Sequence, residues 1–255
     1  MKYNSSNNLV ADLRTFLSFA IKFFPELIKP EYEISEGLYQ SYRIGVKSLG
    51  LISLTAFIIG VVFCMQIRPY MIDFGVASEL PKILSIAIIR EVGPVLTALV
   101  FAGKIASSVS AELASMKVTE QIDAMEVSGT NPYKFLVVTR VVACALMLPF
   151  LSLIASMVAL IGAFLAINFD SHMSFHLFFN ETILRLNITD LFPAFLKTYF
   201  FGFAIGMVGC YKGFNSKPNT KGVGESANSA VVVASILIFI IDLIVVSITY
   251  LLGYL

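Results

Sequence analysis

The sequence predicts an all-α integral membrane protein: an N-terminal amphipathic helix lying in the interface, five transmembrane helices, and a short cytoplasmic helix between the second and third spans. Three observations point there. Of 255 residues, 57% are hydrophobic and only 14% charged, where a soluble domain carries roughly 25% charged residues. Apolar runs recur at lengths that cross a hydrocarbon core of about 30 Å at about 1.5 Å per residue. Basic residues between those runs fall overwhelmingly on one side. The formal net charge of +1 offers no bulk field for nucleic acid.

Residues 9–28 begin the pattern. Leu9, Leu13, Phe16, Leu17, Ala20, Ile21, Phe24, Leu27 and Ile28 recur at helical spacing, with Asp12, Arg14, Ser18, Lys22 and Glu26 on other faces. The ionisable residues disfavour a span, and a helix in the membrane interface fits better. Pro25 and Pro30, with Glu31, Glu33 and Glu36, then interrupt the pattern. This N-terminal segment, 1–42, precedes a transmembrane region over 43–255, together one domain. The spans are read at 48–67, 83–111, 135–167, 191–211 and 230–253. The second is interrupted by Arg90, Glu91, Gly93, Pro94 and Lys104, and the third carries Pro149.

Orientation follows from the basic residues. One side holds Lys2, Arg14, Lys22, Lys29, Arg43, Lys47, Lys117, Lys134, Arg140, Lys212, Lys217 and Lys221; the other holds Arg68, Lys82 and Arg185. The N-terminus is therefore expected in the cytoplasm and the C-terminus outside. Cys64, Cys144 and Cys210 all fall in apolar runs, where they read as small core or lipid-facing residues and not as a disulfide framework.

The stretch 111–132, AELASMKVTEQIDAMEVSGTNP, is the most informative loop. Thr119 is the expected N-cap, Glu120, Gln121 and Asp123 suit the first turn, and Gly129 with Pro132 supplies the stop. A helix of about ten residues is too short to stand alone and must pack on something. It is either a surface connector or a docking helix presented to a partner.

Arg90, Glu91, Lys197 and Asp242 lie inside spans. Each costs roughly 2.5–3.5 kcal/mol on insertion scales unless paired or facing a wet cavity. Arg90 and Glu91 are adjacent and point about 100° apart on a helix, so they cannot easily neutralise each other. Glu91 is expected to meet a cation on another helix, and Lys197 is the available one. Pro94, three residues on, removes a backbone hydrogen bond and can kink the span. Ala98, Ala102, Ala106 and Ser110 form one small-residue stripe, and Gly202 and Gly206 form a GxxxG; packing within the subunit and a dimer seam are both open. Phe63, Met71 and Phe74 are candidate lipid-pocket or packing residues near the outward mouth.

Residues 90–141, REVGPVLTALVFAGKIASSVSAELASMKVTEQIDAMEVSGTNPYKFLVVTRV, together with GVGESANSAVVVAS at 222–235, resemble the MlaE/YrbE family of ABC-transporter permeases. The resemblance covers roughly 43–253. It implies a homodimeric permease that moves phospholipid or another hydrophobic lipid in a bacterial inner membrane. It implies two further partners: a cytoplasmic ATPase that holds the ATP and Mg, and an outer-side lipid-binding protein with an MCE domain. By the same resemblance the 119–128 helix is a coupling helix seated in the ATPase. Glu120, Asp123 and Glu126 would meet the polar rim of that groove, and Ile122 and Met125 its apolar floor.

Other signals point nowhere. Gly103-Lys104 is not a phosphate loop, because Ala98 and Ile105 break the pattern. The chain is thus expected to be a permease without its own ATP site, with no directly bound cofactor or metal. His172 and His176 lack an acidic or cysteine partner at defined spacing. An ion- or proton-coupled carrier in which Glu91 and Asp242 titrate is the competing reading, but no inverted repeat is visible and five spans divide poorly. A non-transporting membrane scaffold is the third reading, and the intramembrane charges argue against it.

Overall fold

The computed structural model describes residues 5–29, 33–169, 173–184 and 188–252, with side chains described for all of these except 5–13, 183, 184 and 188–190. His172 and Arg185 lie outside the described residues, as do the side chains of Leu9, Asp12 and Leu13. The described chain is helical throughout: α1 (Ser5–Ile28), α2 (Ile34–Asp73), α3 (Ala77–Val118), α4 (Gln121–Val127), α5 (Tyr133–Asn168), α6 (Phe175–Leu184), α7 (Ile188–Phe214) and α8 (Thr220–Leu251). Five of them, α2, α3, α5, α7 and α8, are long and apolar enough to cross a membrane. They coincide with the five expected spans, and the protein is a multi-pass membrane protein.

Helix ends differ from the sequence reading in instructive ways. α1 runs through Pro25 to Ile28, so that proline does not end it. α2 begins at Ile34 and passes without a break across position 42. α3 contains two π-turns, Ile88–Val92 and Ala102–Ala106. The first lies immediately before Pro94, which has no N–H to donate; there the Gly93 N–H bonds back to the Ile88 carbonyl instead. A π-turn thus takes up the hydrogen-bond mismatch that a proline creates within a helix.

Packing centres on α5. Its contact with α2 is a reciprocal pair of backbone approaches. A Cβ on Gly60 would lie 1.9 Å from the Ala159 carbonyl oxygen, and one on Gly162 would lie 2.5 Å from that of Phe57. On the other side of α5, Gly202 and Gly206 of α7 abut Cys144, Ala145 and Val141. Ala98, Ala102, Ala106 and Ser110 are all fully buried within the chain, with Gly209 and Gly213 of α7 against Ala106 and Ser110. Both small-residue stripes therefore serve close packing inside one subunit, which answers the dimer-seam alternative for these residues. α8 is the outlier: only 11% of its most apolar window is buried, against 56% for α5.

α1 packs along one side of this bundle. Phe16, Phe19 and Phe23 meet Tyr211, Tyr133 and Phe203 edge to face. The Tyr133 hydroxyl donates to the Phe19 carbonyl at 2.5 Å. A neighbouring stripe, Leu17, Ile21, Phe24 and Ile28, remains exposed, leaving an apolar surface beside the packed one. The three cysteines are buried and unpaired.

Candidate functional site

The charges expected to need partners converge on one lysine. Lys197 of α7 is 2% exposed and donates to Glu91 Oε2 of α3 at 2.6 Å and to Asp242 Oδ1 of α8 at 2.8 Å. Three spans are thereby pinned at one level. Glu91 lies within the π-turn at Ile88–Val92, and two residues on Gly93 lets α3 press on α5. A Cβ at Gly93 would stand 2.3 Å from Ser156 Oγ. In a low-dielectric setting this geometry offsets the desolvation of the ammonium, which has two carboxylates to satisfy its donors.

The carboxylates face outward from that lysine. The Glu91 side chain is 46% exposed and that of Asp242 19%. Both line an open groove of about 530 Å³ between α3 and α8, together with Arg90, Ala87, Phe239 and Leu243. The groove therefore has an apolar wall with cationic and anionic groups set into it. Pro94 is buried and does not line it. Phe63 and Met71 instead pack against the outer core cluster around Leu84, Leu160 and Phe178, and Phe74 is exposed at the end of α2. None of the three lines this groove in a single chain.

The segment after α3 corrects two sequence expectations. Thr119 is not an N-cap: it closes α3, and its hydroxyl donates back to the Ser115 carbonyl at 3.0 Å. The capping position belongs to Glu120, held in the left-handed region at φ +56° without a side-chain cap. The helix is also shorter, seven residues, and ends as expected at Gly129, whose φ is +83°. Ile122 is buried, and Met125 is partly buried against the same core. The two side chains expected to form an apolar floor for a partner thus anchor α4 to its own chain. Glu120, Asp123 and Glu126 are exposed, and the apolar residue on the outside is Val127, at 91%.

A second charged cluster escaped the sequence reading. Glu112, near the end of α3, accepts from Arg43 of α2 and Arg140 of α5, each at 2.8 Å. Arg140 is 3% exposed and also donates to the Leu136 carbonyl. The signal was available: a glutamate between small and apolar residues near a span end needs a cation. Arg43 and Arg140 were counted only as loop charges. Nearby, Lys117 donates to the Phe214 carbonyl at 2.8 Å, closing the end of α7. Asn131 accepts from the backbone N–H groups of Tyr133 and Lys134 and donates to Glu26 at 3.0 Å. These contacts tie the end of α3 to the end of α7, and α1 to the turn between α4 and α5.

Spans pinned by an intramembrane ion triad, with a short acidic helix projecting between the second and third, define a polytopic membrane protein of the permease class. Residues 38–248 match the family described as Permease MlaE. A probable ABC transporter permease protein of Rickettsia typhi is 33% identical over 92% of this chain and 91% of that one. One of Porphyra purpurea is 38% identical over 88% and 85%, and one of a Synechocystis species 36% identical over 80% and 77%. The chain belongs to the MlaE permease family.

Proposed function

We propose that the chain is the membrane-spanning subunit of an ABC transporter that moves phospholipid or a similar hydrophobic lipid, driven by ATP and Mg in a separate cytoplasmic ATPase. The observation that carries the lipid reading is the Lys197–Glu91–Asp242 triad at the wall of the α3–α8 groove. An acyl chain needs the apolar wall that Phe239 and Leu243 supply. A head group at the same level needs charged partners in place of water, and Arg90, Glu91 and Asp242 offer both signs. Pro94 and its preceding π-turn are the compliant element beside them. Phe74, with Phe63 and Met71 behind it, would line the outward mouth.

A second copy of the chain, apposed through α3 and α8, would enclose the groove and cover the largely unburied α8. An MCE-domain lipid-binding protein is the expected acceptor or donor on the outer side. Membership of the family supports a bacterial inner membrane location, and the basic-residue bias supports a cytoplasmic N-terminus and a periplasmic C-terminus; α1 would lie in the interface with its exposed stripe in lipid. α4 would be the coupling helix. In that role Glu120, Asp123, Glu126 and Val127 meet the ATPase, while Thr119, Ile122 and Met125 transmit its displacement to α3 and the core.

The test is purification with the native ATPase, mass spectrometry of the co-purified lipid, and hydrolysis with and without added phospholipid. Bound phospholipid and lipid-responsive hydrolysis are expected. Replacing Glu120, Asp123 and Glu126 together with lysine should detach or uncouple the ATPase while the chain still inserts. Absence of bound lipid, with hydrolysis indifferent to it, would refute the assignment.

A further inference from the structure

Away from the triad, a second groove of about 320 Å³ opens among the end of α1, the start of α2 and the start of α5. α2 and α5 touch closely at Gly45, where a Cβ would meet Met147 Sδ at 2.8 Å. The wedge lies toward the starts of both helices, and Leu27 of α1 closes it. Its walls are apolar, formed by Ile34, Leu38, Val142 and Leu146 among others, and its rim carries Glu26, Glu33 and Lys134.

Hydrogen bonding at the rim is incomplete. Lys134 is 7% exposed, yet among the described residues its ammonium has one acceptor, the neutral Lys29 carbonyl at 3.2 Å. An ammonium carries three donors, so among the described residues two of them have no hydrogen-bond acceptor. Glu26 acts on Lys134 through its charge alone; its carboxylate hydrogen-bonds Lys29 at 2.5 Å and Asn131 at 3.0 Å. Glu33, at the start of α2, makes no side-chain cap bond and stands exposed on the same rim. One buried cation and one exposed carboxylate, on the rim of an apolar wedge, match a zwitterion with a hydrocarbon tail.

We propose that this groove binds a glycerophospholipid with a primary-amine head group from the adjoining leaflet: phosphate on Lys134, ammonium on Glu33, one acyl chain along Leu38, Val142 and Leu146. The leaflet is the cytoplasmic one if the orientation proposed above holds; binding itself requires neither transport nor an ATPase. Such a lipid fills the wedge between α1 and the α2–α5 pair and so fixes α1, which Asn131 connects to the segment carrying α4. A primary ammonium can donate to carboxylates, whereas a trimethylammonium cannot, and an anionic head group would meet Glu33 unfavourably.

The chain contains no tryptophan, so a single Leu146→Trp reports on this groove alone. The full chain with that substitution is reconstituted in phosphatidylcholine vesicles doped with acyl-brominated phosphatidylethanolamine, phosphatidylcholine or phosphatidylglycerol, and quenching is measured against mole fraction. Half-maximal quenching by the ethanolamine lipid is expected at a mole fraction about tenfold lower than for the other two, the ratio that one charge-assisted hydrogen bond supplies. Lys134→Gln keeps a donor for the Lys29 carbonyl but removes the charge. Gly37→Leu fills the groove without a clash, since a Cβ there meets nothing within 4 Å. Each should abolish the preference. Equal quenching by the three lipids in the Leu146→Trp parent, or a preference that survives either substitution, would overturn the proposal.

Discussion

Removing the ammonium of Lys197 is the sharpest perturbation the structure offers. Lys197→Met keeps the length of the side chain and its apolar stem but leaves Glu91 and Asp242 facing each other with no cation between them. Breaking a buried ion pair by deleting one partner costs about 3–5 kcal/mol. The lysine is 2% exposed and Asp242 19%, but Glu91 is 46% exposed to the groove, so its share is screened and the lower end of that range applies. About 3 kcal/mol corresponds to a fall in Tm of roughly 6–12 °C for a chain of this size. The assay is thermal unfolding of the purified chain in detergent, beside lipid transfer with the ATPase present. The triple variant Lys197→Met, Glu91→Gln, Asp242→Asn removes every charge at once and should recover most of the lost stability, because a neutral replacement avoids the desolvation that a lone charge suffers. Recovery of stability without recovery of transfer assigns the triad to the transport path. A Lys197→Met protein with unchanged Tm would refute the reasoning, since it would mean the two carboxylates do not depend on that ammonium.

Three further outcomes follow from particular contacts. Glu112→Ala strands the buried Arg140 and should cost about 3–5 kcal/mol, whereas Arg43→Ala, whose side chain is 37% exposed, should cost no more than about 1 kcal/mol; unfolding in detergent separates the two. Gly60→Val drives a side chain into the Ala159 carbonyl and should prevent α2 from docking, seen as loss of monodisperse protein, while Gly103→Ala, with nothing within 4 Å of its Cβ, should purify normally. The Lys29 hydrogen bond holds the Glu26 carboxyl below its ordinary value of 4.5, so Glu26 stabilises the α1 attachment fully above that value and loses this contribution as pH falls through the lower folded one. Protease sensitivity of α1 should therefore rise only in strong acid, and Glu26→Gln should remove that dependence.

Much of this was legible in the residues because the membrane leaves few solutions. Long apolar runs must be spans, and a charge within one must find its opposite, which is why Lys197 could be named as the partner of Glu91 from sequence. Local geometry was harder. Thr119 has the chemistry of an N-cap, but a cap depends on backbone angles, and the left-handed turn at Glu120 carries no mark in a residue type that seldom adopts it. Ile122 and Met125 read equally well as facing a partner or facing home, since a seven-residue helix has one apolar side and the sequence does not say what covers it. Pro94 announces a disturbance without saying that a π-turn absorbs it. Glu112 announces its need for a cation, but its partners are 69 and 28 positions away and are singled out only when the three helices are brought together.

The backbone contact between α2 and α5 has a mechanical consequence. Helices separated by side chains can creep past one another as rotamers adjust, with interaxial distances of about 8–10 Å. At Gly60 and Gly162 no side chains intervene, and each helix rests on the other's carbonyl groups. That pair behaves as a single rigid beam, and strain applied at the α4 end cannot dissipate by slippage along it. It must be taken up where the helices flanking α4 carry π-turns, at Tyr133–Val138 on the way into α5 and at two places along α3.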